Sequence, residues 1–174
     1  MTRYRVQASA APSFRRSVSG VLLRHWAEAA LTHLALPAGV GLDIALTDDE
    51  TIRTMNRKYR GLDEPTDVLS FPFTDRATPA LAYGQTGKDL AGSEGQGGKG
   101  FSLPATVGEP LGEIIISFPY ARRQAAEHGH PPRTEVALLL VHGLLHLLGY
   151  DHEGAQQARA MTEKTHEVLS LLLT

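Results

Sequence analysis

The sequence predicts an α+β fold: a mixed α/β single domain with a small sheet covered by helices and a central helix carrying an HxxxHxxxxxH motif. Three observations lead there. The chain has 174 residues, 42% of them hydrophobic and 21% charged, the size and composition of one globular domain around a single core. Stretches of helical and of strand period are mixed along it without the strict β–α–β alternation of a doubly wound sheet. The segment from about Thr134 to Leu148 spreads Val136, Leu140, Val141, Leu144 and Leu148 around its surface. So little polar surface remains that this helix belongs at the centre, across one face of the sheet.

The elements follow in order. Tyr4-Arg5-Val6 is a short strand candidate. From Ser13, the apolar positions Val18, Leu22, Trp26, Ala29 and Ala30 recur at helical spacing, predicting a helix to about Leu36, where Pro37 and Gly39 break it. His25 and His33 lie on it with nothing at metal-ligand spacing and read as surface or packing residues. Gly41 to Leu46 partly alternates and reads as a strand. Thr47-Asp48-Asp49-Glu50 reads as a capping box, the Thr47 hydroxyl accepting the third amide while Glu50 reaches back. The helix it opens runs from Asp48 to about Tyr59, with Ile52 and Met55 facing inward and Gly61 as its stop. Asn56 to Asp67 is polar and turn-rich, and Val68 to Pro72 reads as a buried strand.

Residues from about 74 to 110 show neither period. Gly84, Gly87, Gly92, Gly95, Gly97, Gly98 and Gly100 make much of the segment low-complexity, and it reads as a mobile surface insertion between two strands. Leu111 to Ser117 is the clearest strand of the chain. A helix follows through Tyr120, Arg123 and Ala126 to Gly129, with His128 and His130 read as residues of a solvated helix end. Pro131 and Pro132 open the central helix. A last helix runs from about Ala155 to Leu172, with Met161, Val168 and Leu171 as core; His166 on it has no partner and reads as surface.

Composition excludes some chemistry. There is no Cys, so disulfides and thiolate ligands are out and any metal is held by His, Asp or Glu. No apolar run reaches bilayer length. The net charge of −2 says less than its distribution: Arg3, Arg5, Arg15, Arg16 and Arg24 all precede the first acidic residue, Glu28. An acid-free, Arg-containing start can be a transit peptide, the solvated face of a first strand and helix, or a patch for phosphates. The immediate onset of periodicity favours a folded face over a leader.

The chemistry concentrates in His142-Gly-Leu-Leu-His146-Leu-Leu-Gly149-Tyr-Asp-His152. Histidines four apart sit one helical turn apart on one face. Gly149 tolerates the positive φ that commonly ends a helix, and His152 can approach the same point after the turn. Three imidazoles converging in this way make an open metal site with a fourth position left for water or substrate. The spacing is that of the zinc peptidases with HExxHxxGxxH, except that Gly143 stands where their general base Glu stands. Asp151 is the nearest acidic residue, a candidate base or an orienting partner of a ligand histidine.

Several stretches together resemble one family, the YbeY endoribonucleases. They are HGLLHLLGYDH from His142 to His152, the block Asn56-Arg-Lys-Tyr-Arg60 followed by Pro65-Thr-Asp-Val-Leu-Ser-Phe-Pro72, and Leu111-Gly-Glu-Ile-Ile-Ile-Ser117, where the family more often has Asp for Glu113. The resemblance spans most of the chain outside the Gly-rich segment, which is longer than is usual in the family. It implies a cytoplasmic metalloprotein with one zinc ion, or another divalent transition metal, on His142, His146 and His152. It further implies cutting of single-stranded RNA, 3′-end maturation of 16S ribosomal RNA and quality control of the small ribosomal subunit, with no membrane involved. Arg60 matches a family arginine implicated in activity. Its neighbours Arg57 and Lys58 and its planar, two-pronged cation suit a phosphate; a salt bridge at a helix end is the plainer reading. The residues leave the base open, since the nucleophile is either water or the RNA 2′-OH. Two other classes fit the residues less well: a zinc peptidase, against which Gly143 argues, and a non-catalytic ribosome-assembly factor with a structural metal, which would need a fourth ligand from Asp151 or Glu153.

Overall fold

The computed structural model describes residues 3–73 and 108–174; the Gly-rich insertion expected at about 74–110 lies almost wholly outside them. Among the described residues nine elements follow in chain order: β1 (Arg5–Ala10), α1 (Gly20–His33), β2 (Gly41–Thr47), α2 (Asp49–Arg60), β3 (Val68–Pro72), β4 (Pro110–Ser117), α3 (Phe118–His128), α4 (Pro132–Leu147) and α5 (Ala155–Leu172). The strands form one sheet in the order β1-β2-β4-β3. β1, β2 and β4 are parallel, and β3 runs antiparallel along β4. This is the mixed α/β single sheet that the mingled periodicities predict.

Alternation along β4 divides the core. Ile114 and Ile116 face the large core shared with α1, α3, α4 and α5. Ile115 faces the other way, into a small cluster with Ile52 of α2 and Leu69 of β3, as period-two geometry requires. The central helix is α4: Val136, Ala137, Leu140, Val141, Leu144 and Leu145 are each 0% exposed. A helix apolar all round has to be covered on every side, and α4 is, with the sheet beneath it and α1, α3 and α5 around it.

Several boundaries differ from the sequence reading, each for a local reason. β1 runs on to Ala10 because every residue from Arg5 pairs with β2. Its Arg5 guanidinium donates to the carbonyls of Gly39 and Gly108, and Arg15 donates to that of Ala10. The basic N-terminal stretch is thus partly woven into the first strand and helix. α1 begins at Gly20, not near Ser13, because Ser19 is extended and its hydroxyl caps the Leu22 amide. The turns before it carry Phe14 onto the Phe118 ring. The cap of α2 is Asp48 rather than Thr47: Thr47 is still paired in the sheet, opposite Ser117, and the Asp48 carboxylate accepts the Thr51 N–H at 2.8 Å. β3 is an edge strand, not a buried one, and only Leu69 in it is fully buried, which leaves room for Pro72 at a strand end. Leu171, expected in the core, is 48% exposed, whereas Met161 and Val168 are buried. His33 is tied to Glu167 of α5 at 2.6 Å. His128 and His130 are more than a solvated helix end, since both face the buried carboxylate of Glu135.

One glycine sets the seat of α4. Gly41 pairs with Pro110 but Leu42 pairs with Gly112, so β4 bulges at Leu111. Gly112 then passes so close to β3 that an added Cβ would lie 2.3 Å from the Phe71 carbonyl oxygen and 2.9 Å from Leu147. Backbone cannot yield to that contact. Gly112→Ala is expected to cost about 3 kcal/mol, the upper part of the overpacking range, and to lower the melting temperature by roughly 6–12 °C. Thermal unfolding followed by circular dichroism checks this; a shift under about 2 °C would mean the bulge relaxes freely.

Candidate metal centre

His142 and His146 project from the last two turns of α4. The helix ends there because Gly149 takes a φ of 92°, with its N–H on the His146 carbonyl and the Tyr150 N–H on that of Leu145. The chain reverses, and the Asp151 carboxylate accepts the His152 N–H at 2.7 Å. Asp151 therefore holds the turn through backbone rather than through an imidazole. The result brings the three sequence-predicted ligands together: His146 Nε2 lies 3.1 Å from His142 Nε2 and 3.1 Å from His152 Nε2. The His142 and His152 rings stack, with His146 nearly perpendicular to both.

This donor set fits a transition-metal ion. A tetrahedral zinc with bonds of about 2.0–2.1 Å places neighbouring nitrogens roughly 3.3–3.4 Å apart. Burial, reinforced by His146 and His152, pushes the pKa of His142 down to about 4. Burial and then His152 lower that of His146 as well. At neutral pH these two imidazoles are uncharged, and His146 Nε2 cannot donate to both neighbours at once. Nitrogens crowded in this way are relieved by a cation between them. Neither Asp151 nor Glu153 joins the group of converging ligand atoms, so no fourth protein ligand closes the site among the described residues.

The same shifts fix the sign of an acid effect on the metal-free protein. An unfolded chain takes up a proton at His142 near the ordinary 6.5, the folded one only near 4. Between those values the unfolded state binds more protons, so stability falls as pH falls. Melting temperature is expected to decline from about pH 6.5 towards pH 4, and His142→Gln is expected to flatten that slope. Equal slopes in the two proteins would show that His142 titrates normally.

The opposite wall is built by α2 and β3. The histidines and Arg60, Thr66, Asp67, Val68 and Ser70 line a cleft of about 310 Å³. Arg60 is the last residue of α2, placed by the left-handed Gly61 that stops the helix. Buried Asn56 anchors the following turn by donating to the Glu64 carbonyl at 2.9 Å. The helix-end salt bridges go elsewhere: Arg53 and Arg57 both take Asp63. Among the described residues Arg60 has no ion-pair partner, and its charge is felt at His146. Asp67 is held by the Val68 N–H at 2.7 Å, the Thr66 hydroxyl and the Gln124 amide, and it faces His142 closely enough to oppose the fall in its pKa. Thr66, Asp67 and Ser70 were not singled out from sequence as site residues. The one signal for them was the motif block from Pro65 to Pro72.

Gly143 lies against the sheet. A Cβ there would meet Ile114 at 2.9 Å and the Ser70 hydroxyl at 3.0 Å, and that hydroxyl bonds the Gly143 carbonyl. The position that carries Glu in the zinc peptidases is therefore too tight here for any carboxylate. His25 and His166 are exposed and far from this chemistry in role.

The profile of the family described as "Endoribonuclease YbeY" matches residues 11–172. The Endoribonuclease YbeY of Geobacillus thermodenitrificans is 42% identical over 135 residues, covering 78% of this chain and 74% of that one. That of Persephonella marina is 39% identical over 154 residues, covering 88% and 83%. The solution structure of TM1509 from Thermotoga maritima superposes with a TM-score of 0.55 over 97% of this chain and 88% of that one. At 22% identity it supports the fold alone.

Proposed function

The chain belongs to the YbeY endoribonuclease family, and from that premise we propose that it is a metal-dependent endoribonuclease that cuts single-stranded RNA. The observation that carries the reading is the meeting of three converging imidazoles and Arg60, which has no ion-pair partner among the described residues, across one open cleft. His142, His146 and His152 would hold one zinc ion. Bound there, a dication supplies Lewis-acid stabilisation of the charge that builds on a phosphodiester. The remaining work falls to the chain itself. Arg60 presents a fixed planar cation to a phosphate oxygen pair. Asp67, braced on Thr66, Val68 and Gln124, sets a negative charge near enough to His142 to oppose the fall in its pKa. Asp151 fixes the turn that brings His152 in. The 3′ end of small-subunit ribosomal RNA is the proposed substrate, the small subunit the proposed partner and the cytoplasm the proposed place of action. No helix among the described residues is long and apolar enough to cross a membrane.

The peptidase alternative is disfavoured by the close packing at Gly143, which leaves no room for the general-base glutamate. The structural-metal alternative is disfavoured because no fourth ligand joins the three histidines among the described residues, whereas structural zinc sites are closed by four. The test is cleavage of a single-stranded RNA by the purified protein before chelation, after it, and after zinc is returned. Loss and recovery of cleavage support the reading; cleavage indifferent to chelation overturns it.

A further inference from the structure

A second cluster sits where α3 gives way to α4. Glu135, in the first turn of α4, is 1% exposed, yet a carboxylate is rarely buried without a cation beside it. One of its oxygens lies 3.0 Å from His130 Nε2 and 3.2 Å from His128 Nδ1. The other nitrogen of His130 faces the Pro131 carbonyl at 3.3 Å. A carbonyl only accepts, so that nitrogen carries the proton. His130 Nε2 then meets the Glu135 oxygen through either a second ring proton or a cation held between them. Two nitrogens converge on the same oxygen, and the three donor atoms all lie within 4.8 Å of one another.

We propose that His128, His130 and Glu135 bind a second divalent transition-metal ion of the zinc class, separate from the three-histidine centre. Two imidazoles and a carboxylate are a donor set that zinc accepts, and the outward side of His128, whose side chain is 55% exposed, leaves a coordination position to water. Glu135 and His142 are seven residues apart on α4, a rise of about 10 Å, so the two clusters cannot share an ion. The His130 N–H on Pro131 orients the ring as an outer hydrogen bond does for a metal-bound histidine. An ion there would tie the end of α3, the turn at Gly129 and the start of α4 together, bracing the helix that carries His142 and His146. The proposal does not depend on the RNA reading.

The experiment is zinc titration of the chelator-stripped full chain, with bound metal counted by mass spectrometry after desalting. The wild type is expected to retain two equivalents. Glu135→Gln, His130→Gln and His128→Asn are each expected to retain one, and so is His146→Ala. The double variant His146→Ala/Glu135→Gln is expected to retain none. His128 is exposed enough that its replacement leaves folding intact, so the answer stands even if Glu135→Gln does not fold. Zinc is also expected to raise the melting temperature of His146→Ala but not of the double variant. One equivalent in the wild type and none in His146→Ala would overturn the proposal and make the cluster an imidazolium–carboxylate pair. So would a second equivalent that appears only at millimolar zinc.

Discussion

His146→Ala is expected to reduce RNA cleavage by at least about 10³-fold, at or beyond the loss from removing a single transition-state donor. His146 is the middle one of the three proposed ligands: its Nε2 lies 3.1 Å from both other nitrogens, and removing it leaves His142 and His152 without the third corner of the site. Two imidazoles bind a dication far more weakly than three, so the variant is expected to lose the ion of this centre on desalting. The Cβ of alanine keeps the helix, and the half-buried ring leaves a small, partly solvated gap. Its melting temperature is therefore expected to stay within about 2–6 °C of the chelated wild type, the shift of a cost near 1–1.5 kcal/mol. Chelated wild type is expected to match the variant in activity, and zinc to rescue the wild type alone. Cleavage by the variant at the wild-type rate would end the catalytic reading of the histidines.

The convergence of the three histidines was legible in the sequence because its information is local. Helical spacing of His142 and His146, a glycine that ends the helix and a histidine after it specify convergence through the geometry of one turn. The sheet was legible for a similar reason: Ile114-Ile115-Ile116 within the run from Leu111 to Ser117 puts apolar side chains on both faces, as a central strand between two layers requires. What stayed hidden depends on pairs distant in sequence. Nothing near Glu135 announces that it is buried, and a glutamate in a first helical turn ordinarily faces water. Its contacts with His128 and His130 follow from how α3 turns into α4. Asp67 reads as one more polar residue in a turn until Gln124 of α3 is seen to grip it. The mistaken cap at Thr47 has the same origin. Thr47 and Asp48 are both good caps by chemistry, and only the pairing of Thr47 with Ser117 in the sheet decides between them.

Arg60→Ala is expected to lower cleavage by about 10²-fold or more, the scale of one charged transition-state contact, while metal content and melting temperature remain near wild type. The structural reasons are specific. Arg60 is exposed and has no ion-pair partner among the described residues, whereas the salt bridges of its helix end are made by Arg53 and Arg57 with Asp63. Removing its guanidinium therefore breaks no bridge that holds the fold. It shares the cleft with all three histidines, close enough for its charge to help keep His146 unprotonated, but a guanidinium is not a metal ligand. Its proposed contribution is to a phosphate beside the ion. Arg60→Lys is expected to recover only part of the activity, because an ammonium keeps the charge and loses the two parallel hydrogen bonds. Arg60→Glu is expected to be the least active, since it sets a negative charge against the substrate. Salt separates substrate grip from chemistry: a contact to phosphate makes RNA binding less salt-dependent once it is removed, so the binding slope of Arg60→Ala is expected to be shallower than that of the wild type. Unfolding of Arg60→Ala would make the residue structural. Normal cleavage by it would move the phosphate contact elsewhere, with the exposed N-terminal arginines Arg16 and Arg24 next to be replaced.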